Sequence, residues 1–445
     1  MTGPTELARR FGTPAYVYDL DRVAAARDDL FAALPDEVAV FYAAKANPHP
    51  EILRELRTGT ARGTDGSHGT RDTHSSRDTQ SSRDTHSTRD THGTRACRAE
   101  ISSVGELDAV LRAGYDGSEV LYTGPGKTTG ELAEAMTRGV RLFSVESLGD
   151  LRRVGGTAVR LGVTADCLIR VNNATGAAAT SIRMTGVPSQ FGFDSETLPG
   201  LAAELRGVPG TTLAGLHFFP LSNAKDEASL VAEFRHTIAT AAALRDALGV
   251  PFRFVDIGGG FAAPYAVQGH RPAYGGLRDA LAASLDEHFP GWRDGAPRIA
   301  CESGRYLVAD SGTLLTTVVN VKDSRGTRYA VLDAGINTFG GMSGLGRILP
   351  VSVEPHESVG TDGTPAHLAG PLCTPGDLLG RAVPLPDPAP GDLLTVPNAG
   401  SYGPTASLLM FLGRPAPAEI VVRGDDLVSV SRIQHIRTYE HGQAL

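Results

Sequence analysis

Lys45 closes the apolar run VAVFYAAK. An ammonium at the end of such a run is costly unless it is paired or used chemically. Lysine and arginine together number 42, yet only Lys45, Lys127, Lys225 and Lys322 are lysines. A lysine kept where arginine is the habit points to a need for the amine itself. A lysine snorkelling from a strand end is the plainer alternative, and this stretch alone leaves both open. Other reactive types recur at similar places. Gly258, Gly259 and Gly260 follow FRFVDI, Glu302, Gly304 and Arg305 follow RIAC, Arg170 and Asn172 end DCLIRVN, Glu106 follows AEISS, and His217 lies in TLAGLHFF. A triple-glycine turn after a strand uncovers backbone N–H groups that can cradle phosphate, although alone it is often just a tight turn. Arg305 on a neighbouring strand end strengthens the phosphate reading. An amine, an acid and a phosphate cradle in one mouth suit pyridoxal 5'-phosphate, an electron sink held on a lysine with its ring nitrogen protonated.

These residues need a scaffold that brings strand ends together. Residues 14–18 (PAYVY) read as a short strand and DLDRVAAARDDLFAAL as a helix ending before Pro35. EVAVFYAAK is a strand, and PEILREL opens a helix with proline in its first turn. Strand-like and helix-like segments then alternate: EVLYTG and GELAEAMTRG, VRLFSVES and LGDLRRVGGTAVRLG, FRFVDIGGGF and YGGLRDALAASLDEHF. This cadence argues for an α/β fold, either a (β/α)8 barrel of the TIM type or an open parallel sheet. Active groups of a parallel barrel project from the C-terminal strand ends. From about Asp310 the texture becomes short strands separated by glycine and proline, a separate β-domain. The expected division is a barrel over 20–308 and a β-sandwich or β-barrel domain over 309–445, joined by the N-terminal strand in 1–19.

One segment fits neither. From Arg71 a hexamer repeats as RDTHSS, RDTQSS, RDTHST and RDTHGT. It lacks the apolar residues to bury a core, so an insert at about 61–96 is expected to be disordered. His74, His86 and His92 resemble a metal tract only in composition, and a tandem expansion in a surface loop is the simpler account.

Bulk properties narrow the classes. A chain of 445 residues implies more than one ordinary domain, and 41% hydrophobic content supports a sizeable core. The formal charge of −8 supplies no basic field for nucleic acid. No apolar run approaches the roughly 18 residues of a membrane span, and MTGPTELARRFG lacks the apolar centre of a signal peptide. Cys97, Cys167, Cys301 and Cys373 form no CxxC, so neither a zinc site nor a disulfide framework is expected, and no metal. A cytoplasmic protein is the expectation.

The ordered motifs YAAKAN, AEISSVGEL, TGPGKTTGELAEAM, IRVN, SQFGFD, VDIGGGF, ESGRYLVADSG, GPLCTPGDLL and GSYGPTAS resemble those of the pyridoxal-phosphate-dependent decarboxylases of the alanine-racemase fold type, the diaminopimelate, ornithine and arginine decarboxylase superfamily. The resemblance covers nearly the whole chain except the repeat. It implies a (β/α)8 barrel followed by a C-terminal β-domain (fold type III). Lys45 is then the covalent cofactor lysine, Glu106 the acid of the next strand, Arg170 a cofactor-side arginine, and Gly258, Gly259, Gly260, Gly304 and Arg305 the phosphate site. Glu302 would face the pyridine nitrogen and Tyr402 the cofactor. Lys127 keeps a structural role. Cys373 would be the catalytic cysteine, reaching in from a partner subunit, so a homodimer with shared active sites is implied.

The departures concern the substrate. Family enzymes for diamino acids place an acid directly after the cysteine to pair with a distal ammonium. Here that place holds Thr374, followed by Pro375, with Asp377 nearby, and Thr374 and Asp377 are the expected substrate-side residues. A hydroxyl does not compensate an ammonium, so the expected substrate lacks a distal cation. In GLHFFPLSN, Phe219 takes the place of the histidine that stacks on the cofactor, His217 lies two residues earlier, Ser222 keeps a phosphate-contacting hydroxyl and Leu221 replaces a glycine. Alternate strand residues share a face, so either His217 or Phe219 could reach the ring. LDAGINTFGGMSGLGRILP and FLGRPAPAEIVV look closer to a subgroup from specialised metabolism, some of whose members decarboxylate an amino acid tethered to an acyl carrier protein. The expected partner is therefore a small amino acid, free or carrier-bound. A free diamino acid decarboxylase and a racemase or epimerase of the same fold are the alternatives. Racemases typically set an arginine against the pyridine nitrogen, whereas ESGR offers Glu302. A catalytically dead regulatory homologue is opposed by the complete set Lys45, Gly258–Gly260, Glu302, Arg305 and Cys373.

Overall fold

The computed structural model describes residues 3–58, 95–174, 180–183, 188–224, 226–340, 352–358, 360 and 362–438. The hexamer repeat at 71–94 lies outside the described residues. Eight parallel strands close into a barrel. Around the barrel they run Leu142–Val145, Val120–Tyr122, Arg98–Ile101, Ala39–Ala43, Arg298–Ser303, Phe254–Asp256, Thr211–Phe218 and Ala165–Asn172, and the last pairs with the first. The expectation of a TIM-type barrel with a following β-domain is met, and the open sheet is excluded by that closing pair.

The helices between strands start and stop where the sequence provides for it. Ser103, Thr128, Ser147 and Asp226 each accept a backbone N–H at a helix start, covering donors that have no partner within the helix. Gly162 and Gly249 end two helices in the left-handed conformation, which costs glycine little.

The barrel interior shows why the chemistry gathers at one end. Phe41, Leu121, Leu168, Phe254 and Ala300 pack together as a buried apolar layer, with Leu142 against it. Alternate residues of a strand share a face. Two positions further along the same strands stand Ala43, Thr123, Arg170, Asp256, Glu302 and Ser144. The interior therefore changes from apolar to polar in one step towards the C-terminal strand ends, and the closed apolar layer below keeps water from the polar one.

The second sheet joins the chain's two ends. Ala15–Asp19 runs antiparallel to Gly312–Ser324 and parallel to Ala418–Arg423. Gly312–Ser324 also pairs with Thr327–Leu332 and Leu393–Val396, and the sheet continues through Pro365–Ala369 to Leu378–Pro384. Among the described residues no helix is long and apolar enough to cross a membrane.

Candidate active site

Lys45 sits in the one-turn 3-10 helix Ala44–Ala46 directly after its strand. Its Nζ lies 2.9 and 2.8 Å from the two carboxylate oxygens of Glu100, on the adjacent strand in register with Ala43. Glu100 is 1% exposed and also accepts the hydroxyl of Thr123. Burial works against the ammonium, but the charges of Glu100 and then Glu302 outweigh it and hold the Lys45 amine protonated, above its ordinary range. The side chain is still 39% exposed, so the amine remains open to the cleft. A lysine snorkelling out to bulk solvent is excluded by this double contact.

A cleft opens beside this amine. Lys45, Phe219, Ser222, Asn223, Gly260, Glu302, Ser303, Gly304, Arg305 and Tyr402 line it. It thus brings together half of the residues singled out from the sequence. Phe219, not His217, faces Lys45, with its ring centroid 5.6 Å from Nζ. The strand ends at Phe218, so Phe219 already belongs to the turn and escapes the strand's alternation. Tyr402 holds a left-handed φ of 52°, uncommon for a large side chain. Its N–H donates to the carbonyl of Ala46 (2.7 Å), and its own carbonyl accepts from the Tyr265 hydroxyl (3.2 Å). The Arg305 guanidinium lies 5.2 Å from the Tyr402 ring centroid. The β-domain is thereby fastened next to the lysine.

Glu302 is 2% exposed. Burial alone would raise its carboxyl, but His217, Lys45 and Arg170 reverse this and keep it below the ordinary carboxylate range. Its Oε1 is buried, with Nε2 of His217 3.1 Å away. A buried, ionised carboxylate lining the cleft is suited to a protonated ring nitrogen. Ser222, Gly260 and Arg305 supply hydroxyl, backbone and cation for a phosphate in the same cleft. The residues present therefore fit pyridoxal 5'-phosphate.

Several expectations are corrected. Glu106 does not reach the cleft: it stands in the first turn of helix Val104–Arg112, where its carboxylate accepts the Ser102 N–H (2.6 Å). Glu100 is the acid beside the lysine. Gly258 is not free to bind phosphate, because its N–H donates to Asp256 (2.9 Å). Gly258 and Gly259 are glycines for close approach: a Cβ would stand 2.4 Å from the carbonyl of Phe218 or of Glu302. Arg170 is tied to Glu146 (3.0 Å), with its guanidinium 4.7 Å from the Phe191 ring centroid and 6.0 Å from that of Phe219. His217 lies buried beneath Glu302, its Nε2 3.1 Å from Oε1. Lys127 forms a buried pair with Asp150 (2.8 Å), in keeping with a structural role.

Asp377 is not placed to bind substrate. Its two carboxylate oxygens accept the N–H groups of Ile336 and Leu372, each at 2.7 Å, within the β-domain. Replacing it with alanine would leave both buried donors unsatisfied and is expected to cost about 2–4 kcal/mol of stability, read as a lower midpoint of urea unfolding. Cys373 is exposed and Thr374 lies beside it on the β-domain surface, neither lining the cleft.

Residues missed at the level of sequence are Glu100, Ser144, Glu146, Asn223 and Asp256. The pattern Ser103–Glu106, a serine followed three places on by a glutamate, is a helix-start signature that assigns Glu106 to capping and leaves Glu100 for the site.

Residues 91–309 match the family described as pyridoxal-dependent decarboxylase, pyridoxal binding domain. The chain is 27% identical to an L-glutamyl-[BtrI acyl-carrier protein] decarboxylase of Niallia circulans, over 96% of this chain and 93% of that protein. It is 30% identical to a diaminopimelate decarboxylase of Deinococcus radiodurans, over 95% of this chain and 93% of the relative. The crystal structure of Helicobacter pylori diaminopimelate decarboxylase with L-lysine superposes with a TM-score of 0.76 at 24% identity, covering 96% of this chain and 95% of that one. Motifs, fold and similarity over nearly the full length agree. The chain belongs to the fold type III pyridoxal-phosphate-dependent decarboxylases of the diaminopimelate and ornithine decarboxylase family, and is an amino acid decarboxylase that uses pyridoxal 5'-phosphate.

Proposed function

We propose that the substrate is an α-amino acid without a distal cation, presented as a thioester on an acyl carrier protein. The observation that carries this is Thr374, an uncharged residue at the place where diamino acid enzymes of the family set an acid. An unpaired ammonium against a hydroxyl would lose several kcal/mol of the pairing that an acid supplies. The Niallia circulans relative, named for a carrier-bound glutamyl substrate, supports the tethered form. The 30% identity to a diaminopimelate decarboxylase supports a second reading, a free diamino acid.

In this reading Lys45 and Glu302 carry the cofactor, with Ser222, Gly260 and Arg305 on its phosphate. Glu100 is the nearest base to the Lys45 ammonium and is the acceptor for its proton when the free amine is needed. Phe219 presents an apolar face beside the lysine and donates no hydrogen bond. When bound, pyridoxal 5'-phosphate supplies an electron sink for the pair left as the α-carboxylate departs as carbon dioxide. Glu302, ionised and lining the cleft, keeps the ring nitrogen protonated and so favours decarboxylation over racemisation. Cys373 is exposed, Thr374 beside it is half-buried, and both are absent from their own cleft. They act in our reading on the cleft of a second copy, where the thiol returns a proton to the α-carbon, and the enzyme is a homodimer. All four cysteines are free, which suits a cytoplasmic protein.

The test is carbon dioxide release by the cofactor-loaded enzyme from glutamyl carrier protein, free neutral and acidic amino acids, and lysine, ornithine and diaminopimelate, with Lys45→Ala as blank. Release from the carrier conjugate alone is the expected result. Release confined to the diamino acids would overturn the reading of Thr374.

A further inference from the structure

Below Glu302 lies a polar group that the cofactor-contacting set does not explain. His217, Asp256 and Glu302 come from three adjacent strands, and their ligating atoms all lie within 4.8 Å of one another. Ser144, on a fourth strand, places its Oγ 2.6 Å from Nδ1 of His217. Nε2 of His217 lies 3.1 Å from Oε1 of Glu302, and neither atom has another partner among the described residues. His217 is 1% exposed and does not line the cleft. Asp256 accepts the Gly258 N–H with one oxygen and leaves the other unpaired. An imidazole so placed touches the acid that faces the cofactor without touching the cofactor.

We propose that His217, set in orientation by Ser144, is a positioning residue that fixes the carboxylate of Glu302 and secures its charge against the neighbouring Asp256. The physical need is clear from the geometry. Two carboxyl groups side by side in a dry barrel do not both ionise readily. One must keep the proton, and the chemistry requires that it not be Glu302. In this proposal the ring turns an N–H at Nε2 towards Glu302, while Nδ1 shares a hydrogen bond with the Ser144 hydroxyl. Other charged groups reinforce the choice. Lys45 and Arg170 lower the Glu302 carboxyl, whereas burial and the charge of Glu302 push Asp256 well above the ordinary carboxylate range. Glu100, two strands away from Glu302 around the barrel, adds to the rise at Asp256. Asp256 is then the protonated member. It also holds the glycine turn through Gly258, which joins the acid's charge state to the shape of the phosphate side.

The experiment uses stripped, full-length protein titrated with pyridoxal 5'-phosphate and followed by absorbance, so no knowledge of the substrate is needed. His217→Gln keeps an amide N–H near the place of Nε2, His217→Leu fills the space without one, and Ser144→Ala frees the ring with little change in volume. The leucine variant is expected to bind the cofactor about tenfold more weakly or worse. It should also move the pH midpoint of the visible band of lysine-bound cofactor by about half a unit or more. The glutamine variant should stay within about threefold of the parent, with Ser144→Ala between. Thermal unfolding of the cofactor-free forms separates packing from positioning. Equal losses in glutamine and leucine variants that track the unfolding midpoint would overturn the proposal, as would an unmoved pH midpoint in leucine. Should the leucine variant not fold, Ser144→Ala decides: an unmoved affinity and midpoint there would also overturn it.

Discussion

Lys45→Arg and Lys45→Ala are both expected to bring carbon dioxide release down to the blank and to remove the visible absorbance that a lysine-bound cofactor gives. The two variants differ in what they leave behind. Arginine keeps a cation beside Glu100, whose carboxylate is 1% exposed and 2.8 Å from the native ammonium. Alanine leaves that buried carboxylate without its cation, which is destabilising. A guanidinium stays protonated and does not act as an amine nucleophile near neutral pH. The arginine variant should therefore fold and unfold much like the parent while showing no lysine-bound chromophore. Unfolding in urea and a visible spectrum after addition of pyridoxal 5'-phosphate provide the two readouts. A chromophore persisting in the arginine variant would mean that another group carries the cofactor, and Lys45 would then be only the ion-pair partner of Glu100.

Glu302→Gln is the second large effect. The amide keeps the shape of the side chain and removes the charge that, in our reading, faces the ring nitrogen. Carbon dioxide release is expected to fall roughly 10²- to 10³-fold in kcat, the scale of losing one preorganised electrostatic contact in a dry site. Cofactor should still bind through Lys45 and the phosphate side, so the protein stays coloured. A variant that loses colour together with activity would assign Glu302 to holding the cofactor rather than tuning it. A variant with full activity would show that ring protonation does not depend on this acid.

Much of the architecture was legible because it rests on local chemistry. Strand and helix alternate from EVAVFYAAK to RIACESGRYLV, and glycine and proline mark the later β-domain. A parallel barrel collects the ends of its strands in one mouth, so residues written as strand endings, Lys45, Glu302 and Arg305, meet in one cleft although Lys45 is far from the other two along the chain. Resemblance to a family with the same ordered motifs pointed to the cofactor without help from the fold.

What lay beyond the sequence was decided by pairings between distant strands and by small turns in the backbone. Glu100 and Glu106 are six residues apart and equally acidic. Only the register of Ala43 against Glu100 sets the first beside the lysine, while helix capping claims the second. His217 and Phe219 share a strand's alternation on paper, but the strand stops at Phe218 and the turn carries the phenyl ring to the cleft. Gly258 reads as a phosphate donor until Asp256 is seen to take its N–H, and Asp377 as a substrate acid until two backbone donors of the β-domain claim it. Sequence by itself determined which kinds of groups the protein carries and at which strand ends, because composition and periodicity are local properties. Tertiary structure decided which oxygen meets which hydrogen, because a buried polar group is settled by the nearest partner in space rather than along the chain.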